Sequence, residues 1–214
     1  MKSVDLMIFD LDGTLVTSGK DVAASVNHTL AALGLPALDE HIIIDYIGDG
    51  VKKLIERSLG HALQDRFEEA FAIYSRHYEE HMMDNTVLYS GVHEVLKHFH
   101  DKNKVILTNK RHPFALAMSD ALQLTRYFDH LVGAESTPYI KPDARLAGPL
   151  LERFHARPDR TIVIGDGVND VLFAKNAGLL SCACLNGLTS RKKLLDLAPD
   201  YSCEHLSEIK DFFC

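Results

Sequence analysis

Asp10 and Asp12 close the apolar run Leu6-Met7-Ile8-Phe9 and are followed at once by Gly13-Thr14. A second acidic pair, Asp166 and Asp170, lies far downstream in Gly165-Asp166-Gly167-Val168-Asn169-Asp170. Ionised carboxylates at the end of a buried run are costly unless something pairs with them. Taken singly, each has an ordinary explanation; Asp166 alone reads well as a helix N-cap. Four acids on two separate strand ends, each pair beside glycine, are not explained by capping. Brought to one place they repel one another. Mg²⁺, which prefers oxygen ligands and keeps several waters, relieves that repulsion.

Two further segments supply donors. Thr108-Asn109-Lys110 follows one apolar run, and Lys141-Pro142 lies in a loop after the next. Alone, Thr108 reads as a β-branched strand end and Lys141 as a solvated loop lysine. At the same sheet edge as the acids, a hydroxyl, an ammonium, a carboxylate nucleophile and a metal together suit phosphoryl transfer, whose charge spreads over three oxygens.

The elements that must position these groups follow from hydrophobic period. Short apolar runs at 6–9, 104–108, 130–133, 161–165 and 180–185 read as strands. Between them, 92–101, 113–122, 145–154 and 168–177 carry apolar residues at three-to-four spacing and read as helices. Strand alternating with helix predicts an α/β fold with a parallel sheet covered on both faces. Ligands of such sheets bind at the C-terminal ends of the strands. One region breaks the rhythm. Residues 19–88 hold no convincing strand and read as helices at 22–33, 42–58 and 66–83. This divides the chain into an α/β core, 1–17 with 89–214, and a helical insertion, 18–88.

Composition bounds the partners. With 30 acidic against 23 basic residues the net charge is −7, which disfavours a nucleic-acid binder. No run approaches the roughly 18 apolar residues of a membrane span, and no leader is evident, so a soluble cytoplasmic protein is expected. Cys182 and Cys184 share one side of a strand and, with Cys203 and Cys214, read as free thiols without a disulfide. None of the twelve histidines stands out as a metal ligand by its spacing.

The order of Asp10-Leu11-Asp12-Gly13-Thr14, Thr108-Asn109, Lys141-Pro142 and Gly165-Asp166-Gly167-Val168-Asn169-Asp170 resembles the haloacid dehalogenase superfamily of phosphohydrolases, over essentially the whole chain. Tyr46-Ile47-Gly48-Asp49-Gly50, Thr108-Asn109-Lys110 and Ala174-Lys175-Asn176-Ala177-Gly178 look most like phosphoglycolate phosphatases. The resemblance implies a Rossmann-like core with residues 18–88 as a small helical cap. It implies that Asp10 is the nucleophile and forms an aspartyl-phosphate, and that Asp12 is the general acid and base. Mg²⁺ would be held by Asp10, Asp166, the Asp12 carbonyl and waters on Asp170. Thr108, the Asn109 N–H and Lys141 would hold the phosphoryl oxygens, and Lys110 would contact substrate. Asn169 would orient Lys141 or a metal ligand, or simply start a helix. Lys52, Lys53 and Arg57 of the cap would read a small anionic leaving group, or form a solvated helix face. Lys141-Pro142 lacks the second proline found shortly after it in many relatives.

The substrate expected is a small phosphate monoester, and the assembly a monomer or homodimer. The same core also serves phosphotransferases, sugar-phosphate mutases and pyrophosphatases. A dehalogenase would need neither Mg²⁺ nor Asp12. A non-catalytic binding module would be expected to have lost at least one of Asp10, Asp12, Lys141 and Asp166.

Overall fold

The computed structural model describes all 214 residues, Met1–Cys214. Six strands form one sheet: β1 (Leu6–Phe9), β2 (Asn103–Arg111), β3 (His130–Ala134), β4 (Thr161–Gly165), β5 (Leu180–Cys184) and β6 (Tyr201–Cys203). Their order is β3-β2-β1-β4-β5-β6, and every neighbouring pair runs parallel. The chain is therefore of the α/β class its alternating runs predict. Between β1 and β2 come α1 (Gly19–Ala32), α2 (Glu40–Ile44), α3 (Val51–Leu59) and α4 (Phe67–His81), then α5 (Val92–His98). Around the remaining strands lie α6 (His112–Ala121), α7 (Ala147–Arg153), α8 (Val168–Ala177), α9 (Arg191–Leu195) and α10 (Ile209–Phe212).

Alternation along β1 explains the layering. Leu6 and Ile8 face one core with Val105, Val163, Leu150 and Phe173, beneath α7 and α8. Met7 and Phe9 face the larger core, which runs on through Val22, Val26, Leu54, Tyr74 and Tyr78 of the helical insertion. A strand buried on both faces has no polar side, hence its continuous apolar sequence.

Two expectations are corrected. The segment 42–58 is not one helix. Gly48 (φ 115°) and Gly50 (φ 84°) adopt backbone that a side chain disfavours, and the chain breaks there into α2 and α3. In addition, β6 was not anticipated. Its three residues are too few to show a period, and it exists through pairing with β5. The cysteines do meet across that pair, Cys203 Sγ lying 3.9 Å from Cys184 Sγ, but all four remain free thiols.

The two chain crossings into the insertion are stitched to each other. Thr17 N donates to Val87 O (2.8 Å) and Tyr89 N to Leu15 O (3.0 Å). Asp21, only 1% exposed, accepts from Asn85 N, Asn85 Nδ2 (2.8 Å), Thr86 N (2.9 Å) and Thr86 Oγ1 (2.7 Å). Alanine at Asp21 would leave those donors without an acceptor. The expected loss is about 3 kcal/mol, read as a lower urea midpoint. A shift within about 0.5 kcal/mol would mean the crossing is held otherwise.

Candidate active site

β1 is central, flanked by β2 and β4, so side chains just past these three strand ends must approach one another. Asp10 N donates to Ile164 O (2.9 Å), which carries the β1–β4 pairing one residue beyond the strand. Asp10 is thereby set beside Asp166. The chain then turns at Gly13 (φ 84°), where a Cβ would stand 2.1 Å from Asp166 Oδ2. On the other side of that carboxylate, a Cβ on Gly187 would stand 2.2 Å from Asp166 Cβ. Asp166 thus occupies a slot made by two glycines. Thr14 Oγ1 donates to its Oδ1 and Leu188 N to its Oδ2, each at 2.8 Å.

Asp170 is held on the first turn of α8. Gly167 N donates to its Oδ2 (2.9 Å) and Lys141 Nζ to its Oδ1 (2.5 Å). Lys141, 3% exposed, also lies 2.8 Å from Asp10 Oδ1. That contact is close but poorly directed, and Asp10 Oδ1 is buried with no hydrogen bond. Asp10, Asp166 and Asp170 each offer a carboxylate oxygen within 4.8 Å of the others. Three oxygens crowded together, one without a hydrogen bond, fit a hard divalent cation such as Mg²⁺.

Asp12, included among the expected metal residues through its carbonyl, directs its carboxylate elsewhere. Its Oδ1 accepts from Ser18 Oγ (2.5 Å) and Lys110 Nζ (3.0 Å), so its side chain is not part of the acidic cluster. Lys110 also bonds the Tyr78 hydroxyl at 2.5 Å. Thr108–Lys110 reach this cleft because the β2–β3 register slips between Leu107 and Arg111, leaving them outside the ladder. Gly133 permits the slip: a Cβ there would meet His112 Cα at 2.6 Å and Lys110 O at 2.9 Å. Thr108 is buried. The Asn109 side chain clamps the backbone of Lys141, accepting from its N (2.8 Å) and donating to its O (2.9 Å).

Two asparagines bond Gly48. Asn109 Nδ2 also donates to Gly48 O (2.9 Å). Asn169, expected to orient Lys141 or a metal ligand or simply to start a helix, stands on the first turn of α8, and its side chain donates to Gly48 O (3.1 Å) and Asp49 Oδ1 (2.7 Å). Its span reaches across to the α2–α3 loop of the insertion. Lys53 is not brought to the cleft at all; it is exposed and pairs with Glu56 at 2.7 Å. Arg57 bonds Asp49 and the Tyr46 carbonyl, and Lys52 is exposed. The α3 period puts these cations on the outer face because Leu54 and Ile55 take the inner one.

The cleft between insertion and sheet is a cavity of about 70 Å³. Asp10, Asp12, Thr108, Asn109 and Lys110 give it a polar floor, while Val22, Ile47, Val51, Leu54, Tyr74, Tyr78 and Phe114 form its walls. Ser18, Tyr74, Tyr78 and Gly187-Leu188 were not anticipated as site residues. Only Gly187, just beyond the fifth strand at the same sheet edge, left a sequence signal.

Electrostatics follow from burial. Burial and then the Asp170 charge push the Asp10 carboxyl up to about 7, against the pull of Lys141. Burial, Asp10 and Asp170 push Asp166 up to about 8. Burial acts to lower Lys141, but Asp10 and Asp170 outweigh it and hold the ammonium charged. The folded metal-free protein thus keeps protons that the unfolded chain releases near pH 4. Their stabilising contribution is complete below that range and is lost as pH rises toward 8. Metal competes with those protons. Saturating Mg²⁺ is therefore expected to raise the melting temperature more at pH 8 than at pH 6. An increment that is equal or larger at pH 6 would contradict this.

Comparison with known proteins agrees with the fold. The family model described as haloacid dehalogenase-like hydrolase matches residues 7–184. The phosphoglycolate phosphatase of Chromobacterium violaceum is 31% identical over 218 residues, spanning 99% of this chain and 97% of that protein. That of Nitrosospira multiformis is 35% identical over 182 residues, spanning 82% of this chain and 80% of that protein. The crystal structure of a predicted phosphoglycolate phosphatase from Haemophilus somnus superposes with a TM-score of 0.93 at 26% identity, covering 99% of both chains. With its family model, its parallel sheet and its relatives in agreement, this chain belongs to the haloacid dehalogenase-like hydrolases.

Proposed function

We propose that this hydrolase is a Mg²⁺-dependent phosphatase that cleaves a small phosphate monoester, of the phosphoglycolate type, through an aspartyl-phosphate on Asp10. One observation carries the reading. At the floor of the cavity Asp10 stands within reach of both Asp166 and Asp170, while Lys141 approaches from beside them at 2.8 Å. Two relatives that span most of this chain bear the name phosphoglycolate phosphatase.

An Asp10 carboxylate oxygen attacks phosphorus as the bond to the leaving oxygen breaks, and Asp12 gives that oxygen its proton. Water then attacks the phosphorus of the acyl phosphate while Asp12 takes the water's proton, and Asp10 is regenerated. Asp12 is suited to both roles because Ser18 and Lys110 fix its carboxyl apart from the acidic cluster. Lys141, Thr108 and the Asn109 N–H bind the phosphoryl oxygens, and Lys110 orients Asp12. Asp10, Asp166, the Asp12 carbonyl and waters on Asp170 would hold Mg²⁺, whose positive charge would offset repulsion between carboxylate and phosphate. Residues 18–88 act as the cap over the core formed by 1–17 and 89–214, excluding water from the first step. Asn109 and Asn169 latch Gly48 and Asp49 in the arrangement seen here.

The test is phosphate release from phosphoglycolate and p-nitrophenyl phosphate, with Mg²⁺ and with EDTA, alongside peptide mapping of rapidly quenched enzyme. Mg²⁺-dependent turnover and a phosphorylated Asp10 peptide are expected. Turnover that survives EDTA, or a label on another residue, would overturn the reading.

A further inference from the structure

The cavity above Asp10 takes in only two cationic side chains, Lys110 and Arg111. The lysines and arginine of α3 do not line it, so they leave the recognition of any anionic leaving group to these two. Lys110 is already committed. Its ammonium, 6% exposed, bonds Asp12 and the Tyr78 hydroxyl and sits 4.6 Å from the Tyr78 ring centroid.

Arg111 is differently placed. Its Nε donates to the Glu135 carboxylate at 3.0 and 3.1 Å. Its guanidinium carbon stands 5.4 Å from the ring of Phe71 on α4 and 5.3 Å from that of Phe114 on α6. Aromatic faces on the insertion and on the core thus hold one planar cation between them. Glu135 occupies Nε alone, and neither terminal nitrogen donates to any protein acceptor. Four N–H donors in a fixed fork remain, the geometry that matches a carboxylate bidentately. Glu135 itself is half exposed, so its charge is screened more than one buried within the cleft would be.

We propose that Arg111 is a specificity-determining residue that binds a carboxylate on the leaving group. A phosphoglycolate-type substrate would then be held at both ends, its phosphoryl group at Asp10 and its carboxylate at Arg111. The apolar walls would suit the carbons between the two anionic ends. This inference rests on the phosphatase reading above.

The experiment compares phosphoglycolate with ethyl phosphate, of the same chain length but without the carboxylate, using wild type, Arg111→Met and Arg111→Lys. The wild type is expected to prefer phosphoglycolate. In Arg111→Met the ratio of kcat/KM for phosphoglycolate to that for ethyl phosphate should fall about 10- to 100-fold, mostly through KM. Arg111→Lys should recover part of it. A merely structural role would depress both esters alike and leave the ratio where it was. An unchanged ratio in Arg111→Met, or a wild type that does not discriminate, overturns the inference while the phosphatase reading stands. If wild type releases phosphate from neither ester nor from p-nitrophenyl phosphate, the phosphatase reading itself has failed and takes this inference with it.

Discussion

Asp10→Asn is expected to lower phosphate release by roughly 10⁴-fold or more, the scale seen when a covalent nucleophile is removed. Asparagine has nearly the volume of aspartate and keeps one oxygen, so the backbone bond from Asp10 N to Ile164 O has no reason to change. The change also removes one of three crowded charges, and the metal-free variant should be at least as stable as wild type at pH 8. Activity and stability therefore move in opposite directions, which separates lost chemistry from lost folding. Phosphate release by a continuous assay and melting by calorimetry measure the two. A variant keeping more than about 1% of the wild-type rate would remove Asp10 from the role of nucleophile.

The second large effect is expected at Lys141. Methionine there fills much of the same space but leaves Asp10 and Asp170 without their buried counter-charge. Removing one partner of a buried ion pair costs about 3–5 kcal/mol. The loss should be near that size at pH 8 without metal, and smaller at pH 5. With Asp10 pushed up to about 7, its carboxyl is largely protonated at the lower pH and needs the counter-charge less. Mg²⁺ at pH 8 should restore part of the loss by supplying charge to the same oxygens. Turnover should fall at least about 10²-fold, since a preorganised cation is lost from the developing phosphoryl charge. Urea titrations at the two pH values, each with and without Mg²⁺, read the stability terms. A loss independent of pH would mean that Lys141 acts by packing and not by charge.

Much of this protein was written in local sequence. Strand and helix period gave the α/β class, because burial on two faces forces continuous apolar runs such as Thr161-Ile162-Val163-Ile164. The acids and Lys141 stood at strand ends and loops of one sheet edge, and parallel topology brings such ends together whatever the loop lengths between them. Other features depended on contacts between residues distant in the chain. β6 exists only by pairing with β5. The slot around Asp166 needs Gly13 and Gly187, which no local pattern links. The outward turn of Lys53 and Arg57, the reach of Asn169 to Gly48 and the setting of Arg111 between Phe71 and Phe114 are all decided by how the insertion lies on the sheet. Period tells which face of a helix is buried, but only packing decides which side chains on its edges meet a cavity and which meet water.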